Sequence, residues 1–148
     1  MKHYTHRFRV NAPLSKVADF HKDSRALKDL TPPPLIVSFN KVEPLAEGSV
    51  VDFTMWLGPL PIRWLATHSD VDPNRGFTDT QTEGPFVYWV HQHSFVNIDE
   101  TTTDVIDSIQ AKYSNHPIWG LISRFMWLTL PILFAYRSRQ TRKALEEK

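Results

Sequence analysis

Gly76-Phe77-Thr78-Asp79-Thr80-Gln81-Thr82-Glu83-Gly84-Pro85-Phe86-Val87-Tyr88-Trp89-Val90-His91-Gln92-His93-Ser94-Phe95 reads as two strands joined by a Gly-Pro turn. Strand side chains alternate between faces. Phe77, Asp79 and Gln81 therefore share one face of the first strand, and Trp89, His91, His93 and Phe95 share one face of the second. A face that mixes large aromatics with Asp, Gln and two His is neither plain core nor plain solvent surface. It has the composition of a cavity wall carrying a few placed polar groups.

Working outward, the same alternation recurs. Residues 3–10 place Tyr4, His6, Phe8 and Val10 on one side of a half-buried strand. Helical spacing follows, first through Val17, Ala18, Phe20 and His21, with Ser15 as the expected cap, and then over Ser24 to Leu30. Thr31-Pro32-Pro33-Pro34 must end it, because Pro neither continues a helix nor leaves its predecessor helical. Strands are predicted over 35–42, 50–57 and 62–71, and Asp72-Pro73-Asn74-Arg75-Gly76 turns the chain into the opening pair. A last strand over 102–113 carries Val105, Asp107, Ile109 and Ala111 on one face. From Pro117 to about Ala144 the pattern changes to one long apolar helix, kinked at Pro131 and basic at its end. Sequential strands with short turns make an antiparallel sheet, and a helix laid across one face of it makes an α+β fold of one domain over 1–148.

The composition narrows the function. Without Cys the chain has no disulfide, thiolate metal site or Cys nucleophile. A net charge of +1 gives no argument for nucleic acid. No phosphate-cradling Gly loop and no Gly-x-Ser-x-Gly elbow is present, and no cofactor is expected. The first residues enter a strand pattern rather than an apolar signal region, so the expected compartment is the cytoplasm.

Three pieces carry a family resemblance: Phe20-His21 with Leu30-Thr31-Pro32-Pro33, the Gly76–Phe95 stretch, and Asp107 to Pro117. In these, and in the order of its elements, the chain resembles the START-like superfamily, also called SRPBCC or Bet v 1-like. The nearest likeness is to its bacterial single-domain polyketide cyclase/dehydrase-like branch. The resemblance implies a helix-grip fold, with six to seven curved antiparallel strands around a long C-terminal helix and two short helices after the first strand. It also implies a lipid-sized cavity between sheet and helix, but it names no ligand.

The expected ligand is an apolar small molecule or lipid. Phe53, Trp64, Phe77, Trp89, Phe95, Ile109 and Phe125 are the expected apolar contacts, and Asp79, Gln81, His91, His93 and Asp107 the polar ones. The polar set reads first as a buried network whose members satisfy one another, then as hydrogen-bonding groups for a ligand. Least favoured is an acid/base pair of cyclase/dehydratase type, with His91 or His93 as the titrating group and Asp79 or Asp107 orienting it. The His91-x-His93 spacing suits metal ligation but lacks a third ligand in sequence, so no metal is expected. A third reading is an assembly factor that docks on a membrane or another protein. The tail from Ile118 to Tyr136 approaches membrane-spanning length, yet removing it would bare the apolar face of the sheet. The gripped helix is therefore preferred to an anchor, with peripheral membrane contact through Trp119 or Trp127.

Overall fold

The structure, a computed structural model, describes residues 1–146; residues 147 and 148 of the expected domain lie outside that set. Seven strands form one antiparallel sheet: β1 (Lys2–Val10), β2 (Ile36–Val42), β3 (Val50–Leu57), β4 (Leu60–Asp72), β5 (Gly76–Glu83), β6 (Phe86–Asp99) and β7 (Thr102–Tyr113). Their spatial order is β1-β7-β6-β5-β4-β3-β2. Only the β1–β7 pairing joins strands distant in sequence. The chain makes that crossing through α1 (Leu14–Lys22), a 3₁₀ turn (Ser24–Lys28) and the proline run. Two helices, α2 (Pro117–Leu128) and α3 (Leu130–Leu145), complete the α+β helix-grip architecture.

Period-two burial follows the alternation. Phe8 and Val10 on β1, Phe53 and Met55 on β3, and Val105, Ile109 and Ala111 on β7 all point inward. Two apolar clusters result. The larger joins Phe53, Trp64, Trp89 and Ile109 to Leu130 and Phe134 of α3. The smaller lies under α1 and joins Val17 to Phe8, Phe77, Phe95 and Val105.

Three local expectations change. Helix α1 starts at Leu14 with Pro13 at the cap position, and the Pro13 carbonyl accepts from the amides of Lys16 and Val17, so Ser15 is not the cap. The second helical piece is a 3₁₀ turn capped by Asp23, whose carboxylate accepts from Arg25 N–H. The single long C-terminal helix is two helices that meet at 52°. The break falls at Thr129, and Pro131 sits in the first turn of α3, where its missing N–H costs nothing. A helix-start proline placed after Thr129 gives a corner instead of a kink in one continuous helix.

The corner exposes an apolar stripe. Ile118, Leu121, Phe125 and Leu128 recur at helical spacing on α2 and face outward, with Leu121 71% and Leu128 75% exposed, and Ile132 extends the stripe onto α3. Trp119 and Trp127, expected to form the exposed side, instead pack against the larger core cluster; Trp127 meets Tyr4 edge-on. Among the described residues, no single helix is long and apolar enough to cross a membrane.

Candidate functional site

Strand register decides which polar groups meet. On the inner face, β5 and β6 set Asp79 opposite His91 and Phe77 opposite His93. On the other side, β7 sets Asp107 opposite His93 and Ile109 opposite His91. Gly76 makes this close pairing possible. Its φ is +129°, and a Cβ there would lie 1.9 Å from the carbonyl oxygen of His93.

The hydrogen bonds run diagonally to the register. His93 Nε2–H donates to Asp79 Oδ2 at 2.5 Å, and His91 Nε2–H donates to Asp107 Oδ1 at 2.8 Å. The directly opposed pairs are longer, 3.9 Å for His91 Nδ1 to Asp79 and 3.4 Å for His93 Nδ1 to Asp107. The two imidazoles stack with centroids 3.8 Å apart, and Phe77 stacks on His93 at 4.3 Å.

These contacts separate two chemically identical side chains. Burial works against charge on His93, but bonds to Asp107 and Asp79 outweigh it and push its pKa up to about 9. Burial and the charge on His93 push His91 down. Burial also opposes ionisation of both carboxylates, yet the histidines hold Asp79 low and Asp107 far below the usual carboxylate range. At neutral pH the quartet thus holds one imidazolium, one neutral imidazole and two carboxylates.

Three further polar side chains stand around it. His68, opposite Asp79 on β4, bonds Ser49 Oγ through Nδ1 at 2.8 Å and is pushed down by burial. His21 Nδ1–H donates to the Val17 carbonyl at 2.8 Å, which leaves Nε2 as the unprotonated nitrogen; burial pushes its pKa down to about 4. Arg137, from α3, donates through Nε to the Leu30 carbonyl at 3.2 Å.

A cavity of about 790 Å³ lies between the sheet, the proline run and the α2–α3 corner. Phe53, Trp64, Phe77, Asp79, Trp89, His91, His93 and Phe125 line it. Four expected wall residues do not. Gln81 instead holds the β5–β6 turn, bonding both the carbonyl and the amide of Phe86. Phe95 belongs to the smaller cluster beneath α1. Ile109 is covered within the core cluster that includes Phe134, and Asp107 lies behind His91 and His93. His21, His68 and Arg137 line the cavity without having been expected there, and the Thr31-Pro32-Pro33-Pro34 run, readable in sequence as either a cavity rim or a plain connection, lines it together with Leu35. The period-two burial of β4 sets His68 on the inner face with Trp64 and Ala66, a signal that alternation along the strand carries. Nothing in sequence separated Arg137 from the basic helix end.

For a metal, Asp79 supplies from β5 the third donor that the His91-x-His93 spacing lacks, and the three donor atoms lie within 4.8 Å of one another. The donor set suits a divalent ion. In the arrangement seen, His93 Nε2 is taken up by Asp79 and His91 Nε2 by Asp107.

No family model matches the sequence, and no curated protein matches it. Solved structures do. Zhui aromatase/cyclase from Streptomyces sp. R1128 matches with a TM-score of 0.70 at 16% identity, covering 98% of this chain and 96% of that one. Norcoclaurine synthase from Thalictrum flavum, bound to dopamine and hydroxybenzaldehyde, matches with a TM-score of 0.67 at 17% identity, covering 97% and 85%. Ara h 8.0201 gives a TM-score of 0.64 at 11% identity, covering 95% and 97%. The fold is the α+β helix grip that these structures share. At these identities the likeness concerns the fold, and the helix grip hosts more than one function among the matched structures. The function must therefore be argued from the cavity and its side chains.

Proposed function

We propose that this helix-grip chain binds an apolar small molecule or lipid between its sheet and its C-terminal helices. The observation that carries the reading is the cavity. Its 790 Å³ falls within the range of small-molecule sites, and its lining is mostly aromatic and aliphatic, with Asp79, His91 and His93 on one wall and His21, His68 and Arg137 as further polar groups. Burial of the ligand's apolar surface supplies the affinity, and the polar wall fixes its orientation. Native mass spectrometry of gently purified protein is expected to show a co-purifying small molecule. Ala66→Trp, which fills the cavity from β4, is expected to lose it. A bare mass for the parent chain, together with no uptake of added apolar ligands, would overturn the reading.

A second reading is an acid/base enzyme of cyclase/dehydratase type. What favours it is His93, which carries a proton on the cavity wall between two carboxylates. Both the aromatase/cyclase and norcoclaurine synthase are enzymes built on this fold. On this reading His93 is the acid and Asp79 its orienting carboxylate. Replacing His93 with Gln would abolish turnover of a poly-carbonyl substrate while apolar ligand binding persists.

The exposed stripe on α2 adds peripheral membrane contact to either reading. Leu121, Phe125 and Ile132 belong both to that stripe and to the cavity lining, so the cavity opens at the stripe. A lipid passing through this mouth would leave a bilayer without crossing water. Leu121→Ser with Leu128→Ser would weaken vesicle binding if the stripe docks there.

A further inference from the structure

Several arginines of this chain sit in ion pairs at the surface, while Arg142 donates to the Arg9 carbonyl beside Phe8 and Arg124 lies over Tyr113. Arg7 and Arg9 share Asp104, Arg25 clasps Asp23, and Arg63 clasps Asp52. Each meets a carboxylate within 3.0 Å. Arg137 differs. It reaches from α3 into the cavity, with its guanidinium 5.4 Å from the centre of the Phe134 ring. Nε bonds the Leu30 carbonyl, and among the described residues no carboxylate forms an ion pair with it. Asp79 and Asp107 act on it through space, with neither a hydrogen bond nor an ion pair to it.

Arg137 is half-buried, and a guanidinium set against apolar walls gains when its remaining donors find a fixed acceptor in place of water. Its two outer nitrogens form a planar fork that matches a carboxylate in two parallel hydrogen bonds. The same cavity offers Phe53, Trp64, Leu133 and Phe134 as apolar contacts. An aliphatic or aromatic body with one acidic end satisfies both parts of this environment; a neutral lipid satisfies only the apolar part.

We infer that the ligand of this cavity is an apolar carboxylic acid whose carboxylate is held by Arg137. The inference rests on the reading of the cavity as an apolar ligand site and adds the acidic end. The acid enters as its anion, and no bond is made or broken. Arg137 is a binding residue here, independent of any chemistry at His93.

Decanoate and decanol share a chain and differ at the end group, so the pair isolates the contribution of Arg137. Trp64 and Trp89 line the cavity, and their fluorescence reports occupancy. Decanoate is expected to bind at least about tenfold more tightly than decanol, in line with a charge-assisted bond. Arg137→Gln should remove that preference while leaving decanol affinity within about twofold, and Arg137→Lys should restore part of it. Equal affinity of the parent chain for the two ligands overturns the acidic-ligand inference and leaves the apolar site standing. Binding of neither ligand overturns both. If the Gln variant fails to fold, the preference of the parent chain and its partial retention in the Lys variant still decide the matter.

Discussion

Asp104 and Asp107 lie three residues apart on β7 and are both nearly inaccessible, yet they answer to opposite sides of the sheet. Asp104 faces outward. Arg7 donates to it at 2.6 Å and Arg9 at 2.8 Å, from side chains more than half exposed. Asp107 faces inward, where His91 donates to it at 2.8 Å and His93 stands 3.4 Å away. Both carboxylates are held ionised, Asp104 by hydrogen bonds from Arg9 and Arg7, and Asp107 by the histidines against the opposing effect of burial. The difference lies in the partners. Arginine keeps its charge at every accessible pH, and its free end is in water. Histidine titrates near neutrality, and here it is walled in. The outer cluster ties β1 to β7 as a permanent fastening, whereas the inner cluster is an ionisable wall.

The largest effect should come from breaking the inner wall at its backbone. Gly76→Ala puts a methyl group into the His93 carbonyl at a φ that side chains rarely adopt. Its expected cost is about 4 kcal/mol or more, among the severest single substitutions. Chemical denaturation would measure it, and a change under about 1 kcal/mol would mean that β5 and β6 separate easily.

Next in size is the direct contrast. Asp107→Ala leaves His93 charged and buried with only Asp79 to balance it, at an expected cost of about 3–5 kcal/mol. Asp104→Ala releases two arginines that already reach water, at an expected cost of about 1 kcal/mol. Equal losses from the two variants would erase the distinction between wall and fastening.

The pH profile should separate them further. His93 has its pKa raised from 6.5 in the unfolded chain to about 9 in the fold. Its contribution is therefore complete below pH 6.5 and lost as pH rises through 9. His21 is shifted the other way, to about 4, so the unfolded chain binds its proton first and stability falls as pH drops from 6.5 towards 4. A stability maximum near pH 6.5 is expected. His93→Gln should flatten the alkaline side, and Asp104→Asn should leave that slope unchanged. Both can be followed by urea unfolding across pH 5–9.

Much of this contrast was legible in the chain. Period-two spacing assigns Asp79, His91, His93 and Asp107 to one face, because alternation is a local property. Which of them touch is not local. The diagonal bonds depend on strand stagger, and the register of three strands is needed to see that Asp79 meets His93 while standing opposite His91. The depth of the cavity is equally non-local. Ile109 was placed on its wall, but Leu130 and Phe134 close over that part of the sheet. Arg137 looked like a helix-end cation, since nothing in its neighbours shows that the corner at Thr129 would turn it inward. Gln81 shares the face of Asp79 but is drawn off by the backbone of the adjoining turn.

The smallest expected effect tests the outer fastening one arm at a time. Arg7 is 56% exposed and shares Asp104 with Arg9, which bonds the other carboxylate oxygen. Removing Arg7 as Arg7→Gln leaves Asp104 with a charged donor, so neither burial nor charge balance is badly disturbed. The loss should stay within about 0.5–1 kcal/mol and shrink in high salt, where exposed pairs are screened. The second removal should cost more than the first, because only then does Asp104 lose its last cation. A double-mutant cycle over Arg7 and Arg9 would therefore give a non-additive result. Additive losses would mean that each arginine holds its own end of the carboxylate independently. A loss that ignores salt would mean that the outer cluster is as sheltered as the inner one.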